Sequence, residues 1–201
     1  MAEEQENLLI DSNEYLKAGI HIGTKFKTKY MANFIYKTRP DGLSVLNLKK
    51  IDERIKVAAH LLAQYEAKDI LMVSRRESGW KGLRKLTELT GIQVFPGRYP
   101  PGILTNPNLE TFIEPKIIFV SDPWPDKNAV DDATRVGVPI IALCDTNNQS
   151  NQIDLVVPCN NKGKKSVGLV LYLIAREFML KKSLIKNYEE FPAKIEDFTE
   201  E

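Results

Sequence analysis

The stretch IIFVSDPWPDKNAVDDATRVGVPIIALC, residues 117–144, decides the fold class of this chain. Two continuous apolar runs, residues 117–120 and 139–143, enclose a polar segment in which residues 129–136 have helical character. An apolar run without alternation is typical of a strand that is covered on both faces, as in a parallel sheet. The stretch therefore predicts a strand, a helix and a second, parallel strand of an α/β domain.

The same alternation of strands and helices extends outward over most of the chain. Further continuous apolar runs predict strands at residues 70–73, 92–95 and 154–157. Helical spacing of apolar residues predicts helices at 48–65, 80–90 and 166–184. Two short runs, 34–36 and 43–46, flank a Pro-Asp-Gly turn and predict a small N-terminal hairpin. We predict a three-layer α/β/α domain around a mainly parallel five-stranded sheet.

Length and composition narrow the class of protein further. With 201 residues, 43% of them hydrophobic, the chain can bury one sizeable core, which argues against wholesale disorder. Its two cysteines, Cys144 and Cys159, exclude a disulfide framework and are interpreted as small apolar fillers in a reducing compartment. The acidic first residues do not resemble a secretory signal, and no apolar run approaches the ~20 residues of a membrane span. We expect a cytoplasmic protein.

Charge is distributed unevenly, although the formal net charge is only +1. Residues 1–14 carry five acids and no base, and residues 186–201 carry six acids and two bases. Residues 15–185 therefore hold 26 of the 28 bases and 16 of the 27 acids, a surplus of ten positive charges. We predict an acidic N-terminal segment, one basic domain at 15–185 and an acidic C-terminal tail. The basic domain favours a polyanionic partner such as nucleic acid, and a basic enzyme with polar tails is the alternative.

The predicted strands all end in polar loops. The carboxyl ends of parallel strands lie at one edge of a sheet, where ligands of open α/β sheets gather. We therefore expect five loops to form one rim, at residues 74–76, 96–98, 121–123, 144–147 and 158–162.

Sequence signatures of enzymes are scarce. No glycine-rich dinucleotide or P-loop fingerprint follows a strand, and two histidines cannot form a histidine-rich metal cluster. His21 lies in a glycine-flanked turn where ordering of loop backbone is the simpler role, and His60 lies in a helical stretch. Asp122 and Asp126 lie on either side of two prolines. The simpler interpretation is the start of a helix with Asp126 at its N-cap, and it requires no acid–base chemistry.

Three basic segments fit a nucleic-acid partner, and each has an alternative. In residues 25–30, KFKTKY, lysines alternate with aromatic or hydroxyl side chains; the alternative is an edge strand protected by lysines. Residues 160–166, NNKGKKS, combine three lysines with a helix start, or are only a solvated loop. A third basic segment contains Arg75, Arg76, Trp80 and Lys81, whose guanidinium groups can bind phosphates at two points. The alternative is an ordinary amphipathic helix with a solvated basic side. Because sequence-reading motifs are missing, recognition of a folded RNA by phosphate and shape fits best.

Several motifs resemble the small-subunit ribosomal protein two family. They are AGIHIGT (18–24), GRYPPG with TN (97–106), EP and DP (114–123), PIIALCDTN (139–147), PCNNK (158–162) and ARE (175–177). The resemblance runs from about Tyr15 to Leu180. Without the long helical-hairpin insertion of bacterial members, and without the C-terminal extension of eukaryotic ones, the chain looks like the archaeal form of the archaeal and eukaryotic branch.

The resemblance implies a flavodoxin-like (Rossmann-like) fold without coiled-coil insertion. It also implies a non-enzymatic place in the small ribosomal subunit, near the junction of head and body, in contact with ribosomal RNA and neighbouring proteins. On this reading we expect no cofactor, no metal, no small-molecule substrate and no membrane partner.

The site residues that we predict fall into two groups. The RNA-binding candidates are Lys25, Lys27, Lys29, Tyr30, Arg75, Arg76, Lys81, Arg98, Asn160, Asn161, Lys162, Lys164 and Lys165. The aromatic candidates for a protein contact in the acidic tail are Tyr188, Phe191 and Phe198. Two rival hypotheses remain at this stage: an enzyme that uses Asp122, Asp145 and His21 at the strand ends, and a docking module whose tail folds onto a partner.

Overall fold

A computed structural model describes residues 8–199. Positions 1–7 of the predicted acidic N-terminal segment and the last two positions of the predicted tail lie outside the described residues.

The centre of the fold is a five-stranded sheet in which all neighbouring strands are parallel. A separate antiparallel hairpin, β1 (Ile35–Thr38) and β2 (Ser44–Leu46), precedes it. The sheet strands are β3 (Ile70–Ser74), β4 (Gln93–Pro96), β5 (Ile117–Val120), β6 (Ile140–Cys144) and β7 (Leu155–Pro158), in the order β4-β3-β5-β6-β7. The sequence-based prediction of a small hairpin and a five-stranded parallel sheet is confirmed.

Six α-helices surround the sheet in the described part of the chain. They are α1 (Ser12–Ala18), α2 (Leu48–Ala63), α3 (Trp80–Thr90), α4 (Lys127–Val136), α5 (Lys164–Lys181) and α6 (Ile195–Phe198). Both ends of α1 are capped: the Asp11 side chain accepts a hydrogen bond from the Asn13 N–H, and Gly19 adopts a left-handed conformation.

Alternate side chains of each strand enter two separate cores. Ile70 and Met72 of β3 pack with α1, α2, α3 and α5, whereas Leu71 and Val73 face the opposite side with α4. This period of two explains why the strands are continuously apolar, since both faces of the sheet are covered. The three-layer, flavodoxin-like architecture is therefore confirmed.

The layer on the α4 side is completed by a loop. The connection from β4 to β5 is rich in glycine and proline and forms no helix. Its side chains Tyr99, Ile103 and Leu104 are buried in the α4-side core, and the Asp132 carboxylate of α4 accepts hydrogen bonds from the Tyr99 hydroxyl (3.2 Å) and the Gly102 N–H (2.8 Å). Between residues 8 and 199 no helical hairpin interrupts the sheet connections, as predicted.

Candidate nucleic-acid interface

The loops that follow the parallel strands meet at one edge of the sheet. The Ser121 hydroxyl donates to the Ser74 hydroxyl at 2.6 Å, and both side chains are buried. The Asn148 amide donates to Asp122 Oδ1 at 3.1 Å, and the Asn161 amide donates to Asn148 Oδ1 at 3.0 Å. These bonds join the loops after β3, β5, β6 and β7 into one connected edge, as the strand directions predict.

Two buried carboxylates in this edge are neutralised by Arg76 and Lys162. Asp122 and Asp145 are each 1% exposed. Arg76 Nε lies 2.6 Å from Asp122 Oδ2, and Lys162 Nζ lies 2.8 Å from Asp145 Oδ2. Because a buried carboxylate is costly without a cationic or hydrogen-bonding partner, Arg76 and Lys162 hold the loops together through these ion pairs. The RNA contacts predicted for these two residues stay predictions.

Asp122, Asp145 and His21, the residues of the enzyme hypothesis, are not joined to one another by hydrogen bonds among the described residues. Asp122 and Asp145 are engaged as just described, and His21 forms a hydrogen bond to neither carboxylate among the described residues. Burial lowers the pKa of His21, so the imidazole is neutral at pH 7. No group of three or more histidine, cysteine or carboxylate side chains in residues 8–199 is arranged to hold a metal ion.

Asp126 begins α4 at the N-cap position, but its side chain has another role. No helix N–H donates to its carboxylate; instead Oδ2 accepts from the Arg75 N–H at 3.0 Å. Burial raises the pKa of Asp126 to about 6, and the nearby charge of Asp122 adds to this effect. The residue ties the loop after β3 to the start of α4.

The lysine-rich segment 24–30 is fastened across the loop that follows β6. Thr24 N–H donates to Thr146 Oγ1 at 2.9 Å, Thr146 Oγ1 donates to the Phe26 carbonyl at 3.0 Å, and Thr28 N–H donates to the Thr146 carbonyl at 2.9 Å. The segment is irregular, so the edge-strand alternative is wrong. With the backbone fixed at the rim, the exposed side chains of this segment are Lys25, Phe26, Lys27, Lys29 and Tyr30.

The asparagines of segment 160–166 build the loop that presents its lysines. Asn160 Oδ1 accepts from the N–H groups of Lys162 and Gly163, both at 3.2 Å. Asn161 is 1% exposed, and its amide also donates to the Leu143 carbonyl at 3.0 Å. The expectation that Asn161 contacts RNA is therefore corrected, because its amide is buried and bonded inside the protein. Lys164 and Lys165 are exposed in the first turn of α5.

The remaining predicted RNA contacts include exposed side chains and one side chain that is bonded within the protein. Arg75 and Arg98 are exposed at the ends of β3 and β4. Lys81 also lies on the surface, but its ammonium donates to the Glu196 carbonyl at 3.1 Å and the Thr199 carbonyl at 2.7 Å. The ammonium of Lys81 thus fastens the C-terminal segment, and we expect this role in place of the predicted RNA contact.

The aromatic residues of the acidic tail pack mainly on this chain itself. Phe198 is fully buried and Phe191 is 8% exposed. Both rings meet the Tyr172 ring edge-on, with centroids at 5.7 Å and 5.3 Å. Of the three predicted protein contacts only Tyr188 stays exposed, and the Arg176 guanidinium lies 4.3 Å from its ring centroid. Phe191 and Phe198 are therefore core residues in this conformation, a correction to their assignment as partner contacts.

Besides the ion-paired Arg76 and Lys162, four chain segments at the carboxyl edge carry exposed cations, which we call the cationic rim. Its members are Lys25, Lys27, Lys29, Arg75, Arg98, Lys164 and Lys165. Sequence reasoning missed one aromatic residue of this edge, Trp124, which is 71% exposed in the loop after β5. Its position between two prolines at a strand end was the available signal. In the described part of the chain, no helix has the length and apolar character that crossing a membrane requires.

Comparison with known proteins agrees with the resemblance. The family model described as Ribosomal protein S2 matches residues 15–111 and 108–179. The chain is 45% identical over 190 residues to "Small ribosomal subunit protein uS2" of Nanoarchaeum equitans, covering 94% of each chain. It is 48% identical over 195 residues to the protein of that name from Methanococcus maripaludis strain C6, covering 97% of this chain and 87% of the relative. A third, from Thermoplasma acidophilum, is 42% identical over 193 residues, covering 96% and 97%. These relatives are archaeal, in agreement with the predicted branch, and the chain belongs to the ribosomal protein S2 family.

Proposed function

We propose that this chain is a structural, non-catalytic constituent of the small ribosomal subunit in the cytoplasm. It binds small-subunit ribosomal RNA through the cationic rim and contacts neighbouring ribosomal proteins near the junction of head and body. The names of its relatives support the ribosomal role. The observation that carries the RNA contact is the separation of charges at the carboxyl edge: the carboxylates are buried and paired, and the cations face solvent.

This separation gives the rim a net positive surface. Arg76 and Lys162 neutralise Asp122 and Asp145 inside the edge. The exposed lysines and arginines around them present positive charge to phosphates, and the release of counterions from RNA supplies the binding free energy. The geometry favours phosphate contacts over base reading because the exposed groups are mainly long cationic side chains on loops.

The hydrogen-bonded framework of the edge supports the same function. Segment 24–28 is fixed by three hydrogen bonds to Thr146, and Thr28 Oγ1 also donates to the Asn148 carbonyl at 2.7 Å. A surface that is ordered before binding loses less conformational entropy when RNA docks. Such a surface suits a component that occupies one fixed place in a large assembly.

Contacts with neighbouring proteins are proposed for the surface around Tyr188 in the C-terminal tail. Tyr188 is exposed beside Glu189 and Glu190, and the Arg176 guanidinium lies over its ring. An exposed aromatic ring among charges of both signs suits a protein partner. The enzyme hypothesis has weaker support, since its two carboxylates already serve as internal ion-pair partners.

Sedimentation with ribosomal subunits tests the proposal. The triple variant Lys25→Ala, Lys27→Ala, Lys29→Ala removes three rim charges without removing any hydrogen bond described above. The control is Lys68→Ala, Lys181→Ala, Lys186→Ala, which removes three exposed charges remote from the carboxyl edge. We expect the unmodified and control proteins to remain on small subunits after a high-salt wash and the rim variant to be released. Failure of the unmodified protein to co-sediment with small subunits would overturn the proposal.

A further inference from the structure

A groove of about 670 Å³ opens beside the cationic rim and contains two exposed aromatic rings. Phe26, which is 80% exposed, lies between two rim lysines, and Trp124, which is 71% exposed, follows β5. Pro123, Val130 and Ile153 add apolar surface to the lining. Two large rings exposed on one groove are unusual for a protein surface and mark a binding site.

Both rings project from backbone that the protein holds in place. The Phe26 carbonyl accepts from the hydroxyls of Thr24 at 2.9 Å and Thr146 at 3.0 Å. The Trp124 N–H donates to Asp122 Oδ1 at 3.0 Å, and that carboxylate is almost fully buried. The rings are therefore presented to solvent by an ordered framework, so their exposure does not arise from a loose loop.

The polar lining of the groove can both donate and accept hydrogen bonds. The side-chain amides of Gln149, Asn151 and Gln152 form no hydrogen bond to the residues that the structure describes, and all three are exposed. Lys127 adds a positive charge, and the lining contains no carboxylate within residues 8–199. These groups match the parts of a nucleotide: the aromatic rings can stack on the face of the base, the unbonded amides can hydrogen-bond to its edge, and the positive charge can attract the phosphate.

We propose that this groove binds an unpaired nucleobase of RNA, with stacking on Phe26 and Trp124 and hydrogen bonds from the amides. The proposal rests on the RNA-binding function above and adds to it a contact with a base. RNA is favoured over a peptide because Lys25 and Lys27 flank the Phe26 ring, so phosphates next to a stacked base meet cations. Stacking tolerates every base, so the groove recognises an unstacked nucleotide and not a particular sequence.

Binding to two RNA hairpins tests this groove. One hairpin carries a single bulged nucleotide, and the other is the same stem fully paired. We expect Phe26→Leu and Trp124→Leu each to weaken binding of the bulged hairpin roughly tenfold, because one stacking contact is lost. Binding of the paired stem should change less than twofold. The matched control is Tyr36→Leu, which removes a 69% exposed ring on β1 outside the groove and should affect neither RNA.

Each outcome of the experiment is decisive. Equal loss of affinity for both hairpins, or no loss for either, would overturn the groove while leaving RNA binding by the rim intact. If the unmodified protein binds neither RNA, the proposed function fails together with the groove. In reconstituted small subunits, loss of a neighbouring protein from the Trp124→Leu particle with unchanged RNA reactivity would assign the groove to a peptide and contradict the proposal.

Discussion

The ion pair between Lys162 and Asp145 gives a sharp prediction, because the lysine-rich sequence around Lys162 by itself indicates an RNA contact. Lys162 Nζ donates to Asp145 Oδ2 at 2.8 Å and to Asn147 Oδ1 at 3.0 Å. The substitution Lys162→Met keeps most of the side-chain length and removes the charge. We expect it to destabilise the isolated protein, even when RNA is absent.

The magnitude follows from the burial of the two partners. Loss of one partner from a fully buried ion pair costs about 3–5 kcal/mol. Here Asp145 is 1% exposed, but the Lys162 side chain is 35% exposed, and the Thr146 N–H still donates to Asp145 Oδ1 at 2.6 Å. Water and this remaining hydrogen bond reduce the loss, so we expect about 2 kcal/mol. A loss of that size lowers the Tm of a domain this large by roughly 4–8 °C.

Urea unfolding at pH 7 measures the effect, and a double-mutant cycle assigns it. Because Asp145→Asn removes the buried charge, Lys162→Met should cost less than ~1 kcal/mol in that background. Lys165→Met is the matched control, since that exposed lysine at the start of α5 should change stability by under ~0.5 kcal/mol. If Lys162→Met is as stable as the control, the ion pair does not stabilise the edge, and the reasoning is refuted.

Three other predictions follow from contacts outside the cationic rim. Burial raises the pKa of Asp126 from 3.8 to about 6, so between these pH values the folded state holds a proton that the unfolded state has lost. The free energy of unfolding, measured with urea, should therefore fall by roughly 3 kcal/mol as pH rises from 3.8 to 6. Asp126→Asn should lack this fall, and the same pH dependence in both proteins would contradict the prediction. A Cβ at Gly168 would lie 2.7 Å from the Phe198 carbonyl oxygen and 2.6 Å from Thr199 Cγ2. Gly168→Ala should therefore displace α6 and lower the free energy of unfolding in urea by about 1–3 kcal/mol. Unchanged stability would count against this close packing. Lys81→Met should expose the C-terminal segment to limited proteolysis while leaving RNA affinity unchanged; reduced RNA affinity with normal protease resistance would reverse this assignment.

The sheet and its functional edge could be predicted because they depend on local patterns. Side chains such as Leu71 and Met72 enter opposite cores, and a strand covered on both faces is continuously apolar in sequence. Once the strands are known to be parallel, their carboxyl ends must share one edge. The positions of Arg75 and Arg98 at that edge followed from this rule alone.

The pairing of individual rim side chains could not be predicted in the same way. Whether a lysine faces RNA or a buried aspartate depends on contacts between loops that are distant in sequence. Arg76 and Asp122 are 46 residues apart, and Lys81 and Thr199 are 118 apart. The sequence gives no sign that Arg75 and Arg76 differ, but in the structure Arg76 is paired with Asp122 and Arg75 is exposed.

The folding of the acidic tail onto the domain was also missed, although the sequence holds a signal for it. Acidic residues dominate the composition of the tail, so the net charge of the segment does not indicate that Phe191 and Phe198 are buried. Glycines inside two helices mark the place where they pack: a Cβ at Gly82 would lie 3.2 Å from the Phe198 carbonyl oxygen, and one at Gly168 would lie closer still. Because glycine weakens a helix, its presence inside α3 and α5 indicates close approach of another segment.

The salt dependence of RNA binding tests the central claim most directly. The measurement is the slope of log affinity against log salt for purified small-subunit RNA, for the unmodified protein, the variant without Lys25, Lys27 and Lys29, and the variant without Lys68, Lys181 and Lys186. If each rim lysine contacts one phosphate, the first variant should lose about 2–3 units of slope. The second should keep the slope of the unmodified protein. Equal slopes for all three proteins would contradict the assignment of the cationic rim to RNA.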